Sequence, residues 1–343
     1  MNRGVIKKVI GCALFFSGIV YLYSAVKRLL GIREVTVLMY HRVVDSVDTL
    51  DQDVITANRD KFLIQVEYLS TKCNIINFEE LDSYRNGQIP IPKRAVIITF
   101  DDGYRDNYEI AYPILKARRA SATIALATGF MGKMDLFWWD KLAYCIHQTK
   151  ASEVVSAHLG KLSLHDKEVA IRSIQQSLKE VTDQVKKEIL DEILQKMDVP
   201  ILLKNEVFLT WKDVREMSVY RISYAAHTVT HPILTRISLS EAKKEITDSK
   251  QDIERETNRE VNVFTYPNGK KEDMSKEIDK FLKEHGFKFC LSTQYGANRI
   301  TTNMFRLNRV GIERNDNMVL FKVKVRGFGK IFASLYEKLK RIS

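Results

Sequence analysis

Short β-branched apolar runs alternate with stretches of helical periodicity from residue 35 to about residue 130, and again from 211 to 312. Few folds accept that order. A strand, a helix and a further strand imply a parallel crossover. The runs Val35–Tyr40, Asn74–Phe78, Ala95–Phe100, Ala122–Ala127, Ile222–Ala226, Val261–Tyr266, Phe287–Ser292 and Phe305–Ile312 therefore predict a parallel sheet, open or closed into a barrel. Helix signals lie between them. Asn58 is placed to cap a helix to Lys72 with Phe62, Val66 and Leu69 on one face. Ser238 and Glu241 form the capping pair of another that runs to about Glu256.

Residues 138–205 break the alternation. Strand signals vanish, and Val169, Ile174, Leu178, Val185, Ile189 and Ile193 recur at helical spacing between Asp166 and Met197. This predicts a helical insertion packed on one side of the barrel. With 343 residues, 45% of them hydrophobic, the chain can bury one large core or two modest ones.

The net charge of +11 sits at the ends. Residues 1–33 carry six Lys/Arg and no acid, residues 317–343 carry seven Lys/Arg and only Glu337, and the body between them is near neutral. That distribution excludes a nucleic-acid groove and suits a membrane surface. Val9 to Val26 is an uncharged run of 18 residues flanked by Lys7-Lys8 and Lys27-Arg28. It predicts a retained single-pass transmembrane helix within an anchor over 1–33, with the body at 34–316. After Asn317, Phe328, Ile331, Phe332, Leu335 and Leu339 recur at helical spacing, predicting a basic amphipathic tail on anionic lipid over 317–343, with a solvated terminal helix packed on the barrel as the alternative. Cys12, Cys73, Cys145 and Cys290 show no pairing rhythm and predict free thiols.

Two stretches about 125 residues apart carry the chemistry. Thr99-Phe100-Asp101-Asp102-Gly103-Tyr104 ends a strand run, where parallel α/β folds build their sites. His227-Thr228-Val229-Thr230-His231-Pro232 follows another and places two imidazoles four residues apart. Two imidazoles and one carboxylate, with solvent in the remaining positions, suit a divalent metal that polarises a carbonyl and activates water. The second carboxylate is then free to act as a base. A turn with a helix cap is the bland alternative for the Asp pair, and core histidines for the His pair.

These two stretches resemble the first two signature motifs of the polysaccharide deacetylases, carbohydrate esterase family 4. Leu38-Met39-Tyr40-His41-Arg42-Val43, Phe137-Trp138-Trp139-Asp140 and Phe264-Thr265-Tyr266-Pro267-Asn268-Gly269 agree, so the resemblance spans roughly 35–313. It implies a distorted (β/α)7-type barrel that removes N-acetyl groups from amino sugars. By position, Asp102, His227 and His231 would bind the metal, zinc first with Co2+ or Ni2+ as alternatives. Asp101 would be the general base, and the backbone N–H of Tyr104 a donor to the oxyanion. Tyr104, Tyr266, Pro267 and Asn268 would meet the substrate. Trp138, Trp139 and Trp211 are candidates to stack on sugar rings, or else core residues.

The chain departs from the common pattern in two places. No histidine follows His285, so the usual late Leu-x-x-His is missing, and Thr265 stands where an Arg often opens the third motif. His41 is similar to the N-terminal histidine of poly-N-acetylglucosamine deacetylases, whose motif order is permuted, and would serve as general acid. Arg306 and Arg309 are the candidates to hold Asp101. The expected function is metal-dependent deacetylation of a surface or exported polysaccharide, by a membrane-anchored enzyme whose catalytic domain lies outside the cytoplasm. Deacylation of a lipid-linked saccharide precursor and non-catalytic carbohydrate binding are the alternatives.

Overall fold

A computed structural model of the protein describes residues 11–328. Seven parallel strands close into a barrel: β1 (Val35–Tyr40), β2 (Ala95–Phe100), β3 (Ala122–Leu126), β4 (Ile222–Ala226), β5 (Val263–Thr265), β6 (Phe289–Tyr295) and β7 (Leu307–Gly311). Each pairs with its sequence neighbour, and β1 pairs with both β2 and β7, which closes the ring. The two-residue strand Asn74–Ile75 is appended to the start of β2. The alternation in the sequence dictates this arrangement, because parallel strands joined by helices are buried on both faces and read as continuous apolar runs. The burial of all six residues of β2 fits that rule.

Strand periodicity then divides the core. Val35, Val37, Ala95, Ile97, Ala125, Ala225, Val263, Leu291 and Leu307 form one cluster, while Leu38, Ile98, Phe100, Ile124, Leu126, Ala226 and Phe264 join the outer one with the helices. Because side chains alternate with a period of two, the first set carries on upward to Thr99, Asp101, His227, Thr265, Thr293 and Arg309 on the same face. The barrel interior is thus apolar below and polar at the strands' C-terminal ends.

The helices start where the caps predicted. Asn58 accepts from the Lys61 N–H at 3.0 Å, and Ser238 and Glu241 make a full capping box. The insertion is helical over Trp138–Gln148, Lys167–Glu180 and Asp183–Met197 and has its own core, including Leu142, Ile146, Ile174, Leu178, Ile189 and Ile193. It also contains an antiparallel hairpin, Glu153–Ser156 with Gly160–Ser163, which the sequence reading had not expected. The hairpin's alternation is short and mostly exposed, so it leaves almost no hydrophobic signal.

The N-terminal expectation needs correction. Among the described residues no helix is long and apolar enough to cross a membrane. The apolar run breaks at Gly18, whose φ of 78° is left-handed, and a separate helix occupies Ile19–Leu29. Val20 is fully buried against Leu320, Val323 and Phe328, so this helix packs on the start of the C-terminal segment. That segment begins with a short helix, Met318–Val323, whose Leu320, Phe321 and Val323 are buried. Val9 and Ile10 of the predicted span, and Ile331, Phe332, Leu335 and Leu339 of the predicted tail, lie outside the described residues.

Candidate metal and catalytic site

The β1–β2 register pairs Tyr40 with Phe100, which sets His41 and Asp101 side by side above the barrel. The Asp101 N–H still donates to the Tyr40 carbonyl at 2.9 Å. The chain then turns through two left-handed residues, Asp102 (φ 77°) and Gly103 (φ 76°). This reversal aims the two neighbouring carboxylates in different directions. A side chain at Gly103 would be strained by its φ and would press Leu126 and Met131.

Asp102 faces the histidine pair. Its Oδ1 is 3.4 Å from Nε2 of His227 and 3.4 Å from Nε2 of His231, and the two nitrogens are 3.0 Å apart. Ligands around a tetrahedral zinc with bonds of about 2.0–2.1 Å stand about 3.3 Å from one another, so the triad fits a divalent ion. His227 donates from Nδ1 to the Thr265 carbonyl at 2.7 Å, which leaves Nε2 free to ligate a metal. Burial, reinforced by His227, pushes His231 down to about 3 and keeps its imidazole neutral, the form that binds metal. Burial also works against the Asp102 carboxylate, but His227, His41 and His231 together outweigh it and hold the pKa below the usual range.

The loop that carries the histidines is strained and tied down. Thr228 (φ 65°) and His231 (φ 60°) are both left-handed, a cost of about 1–3 kcal/mol each that functional loops tolerate when their surroundings hold them. The Thr228 hydroxyl donates to the His227 carbonyl and accepts the His231 N–H. Glu245, on the helix Leu239–Thr257, accepts from the N–H groups of Val229 and Thr230 and from the Thr230 hydroxyl. On the β3 side a Cβ at Gly129 would fall 2.7 Å from the Val229 carbonyl, so only glycine lets the two loops touch.

Asp101 points the other way, into a fork. Arg309 on β7 gives it two hydrogen bonds, Nη1–Oδ1 and Nη2–Oδ2, both 2.7 Å, with the guanidinium fully buried. Burial raises the Asp101 pKa, yet the Arg309 charge and hydrogen bonds outweigh it and bring the group down to about 2. His41 Nε2 lies 3.9 Å from Asp101 Oδ2. Arg306 is engaged elsewhere, paired with Asp279 at 2.7 Å, and Asp279 also accepts the Tyr266 hydroxyl.

His41, Asp101, Asp102, His227 and His231 line one cavity of about 300 Å³, together with Trp138, Trp139, Tyr266 and Asn268. Two residues expected to meet the substrate are not in this lining. Tyr104 is fully buried behind the cavity wall, its hydroxyl donating to Asp140 at 2.7 Å and accepting from Trp139 at 3.1 Å. Pro267 is buried in the turn after β5 and is not part of the lining. Trp139 stacks edge-on against His231 at 4.8 Å, so the Tyr104–Trp139 pair props the ligand ring. Asp140 caps nothing in its own helix; it also accepts the Asp51 N–H, and burial lifts its pKa to about 7. Trp211 lies away from the cavity.

Several contributors had escaped the sequence reading: Glu245, the Thr265 carbonyl, Asp51 and three lysines, Lys179, Lys186 and Lys270, which also line the cavity. Lys270 alone carried a signal, since it closes the run Tyr266-Pro267-Asn268-Gly269 that follows a strand.

Comparison with known proteins gives this arrangement a family. The model of the polysaccharide deacetylases matches residues 88–290, more than half of the chain. The chain belongs to the polysaccharide deacetylase family. His41 and Arg309 lie outside the matched segment. YxkH of Bacillus subtilis (strain 168), named for the same family, is 23% identical over 220 residues, 64% of this chain and 52% of YxkH. The chain thus spans about half the length of that curated relative. Among solved structures, the Streptococcus pyogenes deacetylase PplD, in complex with acetate, is similar with a TM-score of 0.58 and 21% identity, over 86% of this chain and 99% of that one. IcaB from Ammonifex degensii is similar with a TM-score of 0.56 and 16% identity, over 87% and 97%. At these identities the likeness shows the fold.

Proposed function

We propose that this deacetylase removes N-acetyl groups from the amino sugars of a polysaccharide in a divalent-metal-dependent hydrolysis, zinc being the first candidate. The observation that carries the reading is a cavity in which Asp102, His227 and His231 converge within 4.8 Å while Asp101, clamped by Arg309, and His41 stand beside them. A metal triad, an ionised carboxylate and an imidazole form the complement that amide hydrolysis requires.

A divalent ion held by Asp102, His227 and His231 supplies Lewis acidity toward the amide carbonyl and lowers the pKa of water. The chain's residues handle the protons and the geometry. Asp101 is kept ionised by Arg309 and accepts the proton of the attacking water at Oδ2, the oxygen on the His41 side. A proton on so acidic a carboxyl is readily surrendered, which serves the later protonation of the leaving amine. His41 delivers that proton from Nε2. The backbone N–H of Tyr104, after the left-handed turn, is the donor offered to the developing oxyanion. Trp138 and Trp139 wall the cavity against water, and Asn268 meets the sugar.

The test is acetate release from N-acetylglucosamine oligomers by protein loaded with Zn2+ or Co2+. Release that a chelator abolishes and added metal restores is expected. Asp101→Asn should keep its metal and lose turnover by about 10²–10⁴-fold, the usual contribution of a general base. Absence of release from every N-acetylated glycan tried, with metal bound, would reduce the protein to a binding member of the fold.

A further inference from the structure

Three lysines ring the mouth of the catalytic cavity. Lys179 and Lys186 come from the two long helices of the insertion, and Lys270 from the turn after β5, so separate parts of the fold supply them. Lys186 is paired with Asp183 and lies 5.5 Å over the Trp138 ring. Neither Lys179 nor Lys270 forms an ion pair among the described residues.

Two of the three acids that line the cavity are already committed. Asp101 is matched by Arg309, and Asp102 faces the two histidines that share its metal. Asp51, 4% exposed, accepts from the Asp53 N–H at 3.0 Å and from Gln175 at 2.9 Å. Lys179 is half-buried without an ion pair, and burial, the main cause, pulls its pKa below that of an ordinary lysine although the charge of Asp51 works the other way. The lysines are close to the chemistry, since they line the same cavity as Asp102 and His231. Cations at a cleft that lack an ion pair of their own attract ligands of the opposite sign. Ammonium groups are point charges without the planar fork of arginine, so they select charge rather than a planar outline.

We propose that Lys179 and Lys270, with Lys186 behind them, form a subsite for an anionic substituent, a phosphate ester or a carboxylate, borne on the N-acetylated sugar or its neighbour. The enzyme's substrate is then an anionic glycan. This proposal rests on the deacetylase reading above and names its substrate class.

The experiment compares kcat/KM for acetate release from three substrates. They are a neutral N-acetylglucosamine oligomer, the same oligomer carrying a phosphate ester, and one carrying a lactyl carboxylate. The wild type is expected to favour at least one anionic substrate by about tenfold or more, equivalent to roughly 1.4 kcal/mol, mainly through KM. Raising the salt should erode that preference. In the Lys179→Gln, Lys270→Gln double variant the ratio of anionic to neutral kcat/KM should fall toward one, and Lys179→Arg should preserve it. Which anionic arm gives the larger ratio identifies the substituent. Equal kcat/KM on all three substrates, or a preference that survives in the double variant, overturns the subsite alone. No acetate from any of the three overturns the deacetylase reading and the subsite together.

Discussion

Arg309 and Asp101 stand 208 residues apart in the chain and are joined by two charge-assisted hydrogen bonds inside the barrel mouth. Such a pair is expensive to break, because removing one partner leaves an uncompensated buried charge. Arg309→Met should therefore destabilise the protein by about 3–5 kcal/mol at neutral pH, measured by denaturant unfolding. The pH dependence has a definite sign. The folded pKa of Asp101, about 2, lies below its ordinary value of 3.8, so its stabilisation is present above pH 4 and lost as the pH falls through 2. The shift corresponds to roughly 2 kcal/mol. In Arg309→Met that contribution is gone, and burial instead favours the protonated acid. The gap between wild type and variant should hence be widest above pH 4 and narrow toward pH 2; a gap independent of pH would show that the fork is not what keeps Asp101 ionised.

At the scale of elements, the histidine loop depends on a helix that contributes no ligand. Glu245 holds the Val229–Thr230 segment through three hydrogen bonds, and the strained φ values of Thr228 and His231 persist because that segment cannot relax. Groups that orient ligands typically contribute 10–100-fold to metal affinity, so Glu245→Ala should weaken metal binding by about that factor in competition with a chelating dye. Unchanged affinity would mean that the loop holds itself. The sequence made much of this level legible. Strand runs and caps found the barrel, and the two motifs found the Asp and His groups, because both are written in local spacing. Long-range partnership is not. Nothing within ten residues of Arg309 marks it over Arg306, and only the closure of β7 onto β1 brings it to Asp101. Tyr104 shows a second limit: its place in the motif is local information, but the direction of its ring is set by Asp140 and Trp139.

At the scale of the whole molecule, the helix Ile19–Leu29 and the described start of the C-terminal segment meet at the barrel's N-terminal side. Lys27, Arg33 and Arg326 border a cavity of about 500 Å³ with Lys72, Lys93 and Arg94, at the opposite end of the strands from the metal triad. The helix Ile19–Leu29 is held there by Val20 against Leu320, Val323 and Phe328, with Tyr23 edge-on to Phe328 at 5.1 Å. Val20→Asp should thus lower stability by about 1.5–3 kcal/mol, the value of one fully buried apolar side chain, in a thermal or denaturant melt. An unshifted melt would show that this helix is not docked on the barrel. Acetate release should change little, since the two ends of the barrel share no side chains.

The most direct measurement is a crystal structure of the metal-loaded protein with anomalous data collected at the zinc edge. One anomalous peak is predicted between Asp102, His227 Nε2 and His231 Nε2, at about 2.0–2.2 Å from each, and its loss in Asp102→Ala. A loaded, active protein whose metal lies elsewhere, or whose peak survives in that variant, would contradict the assignment.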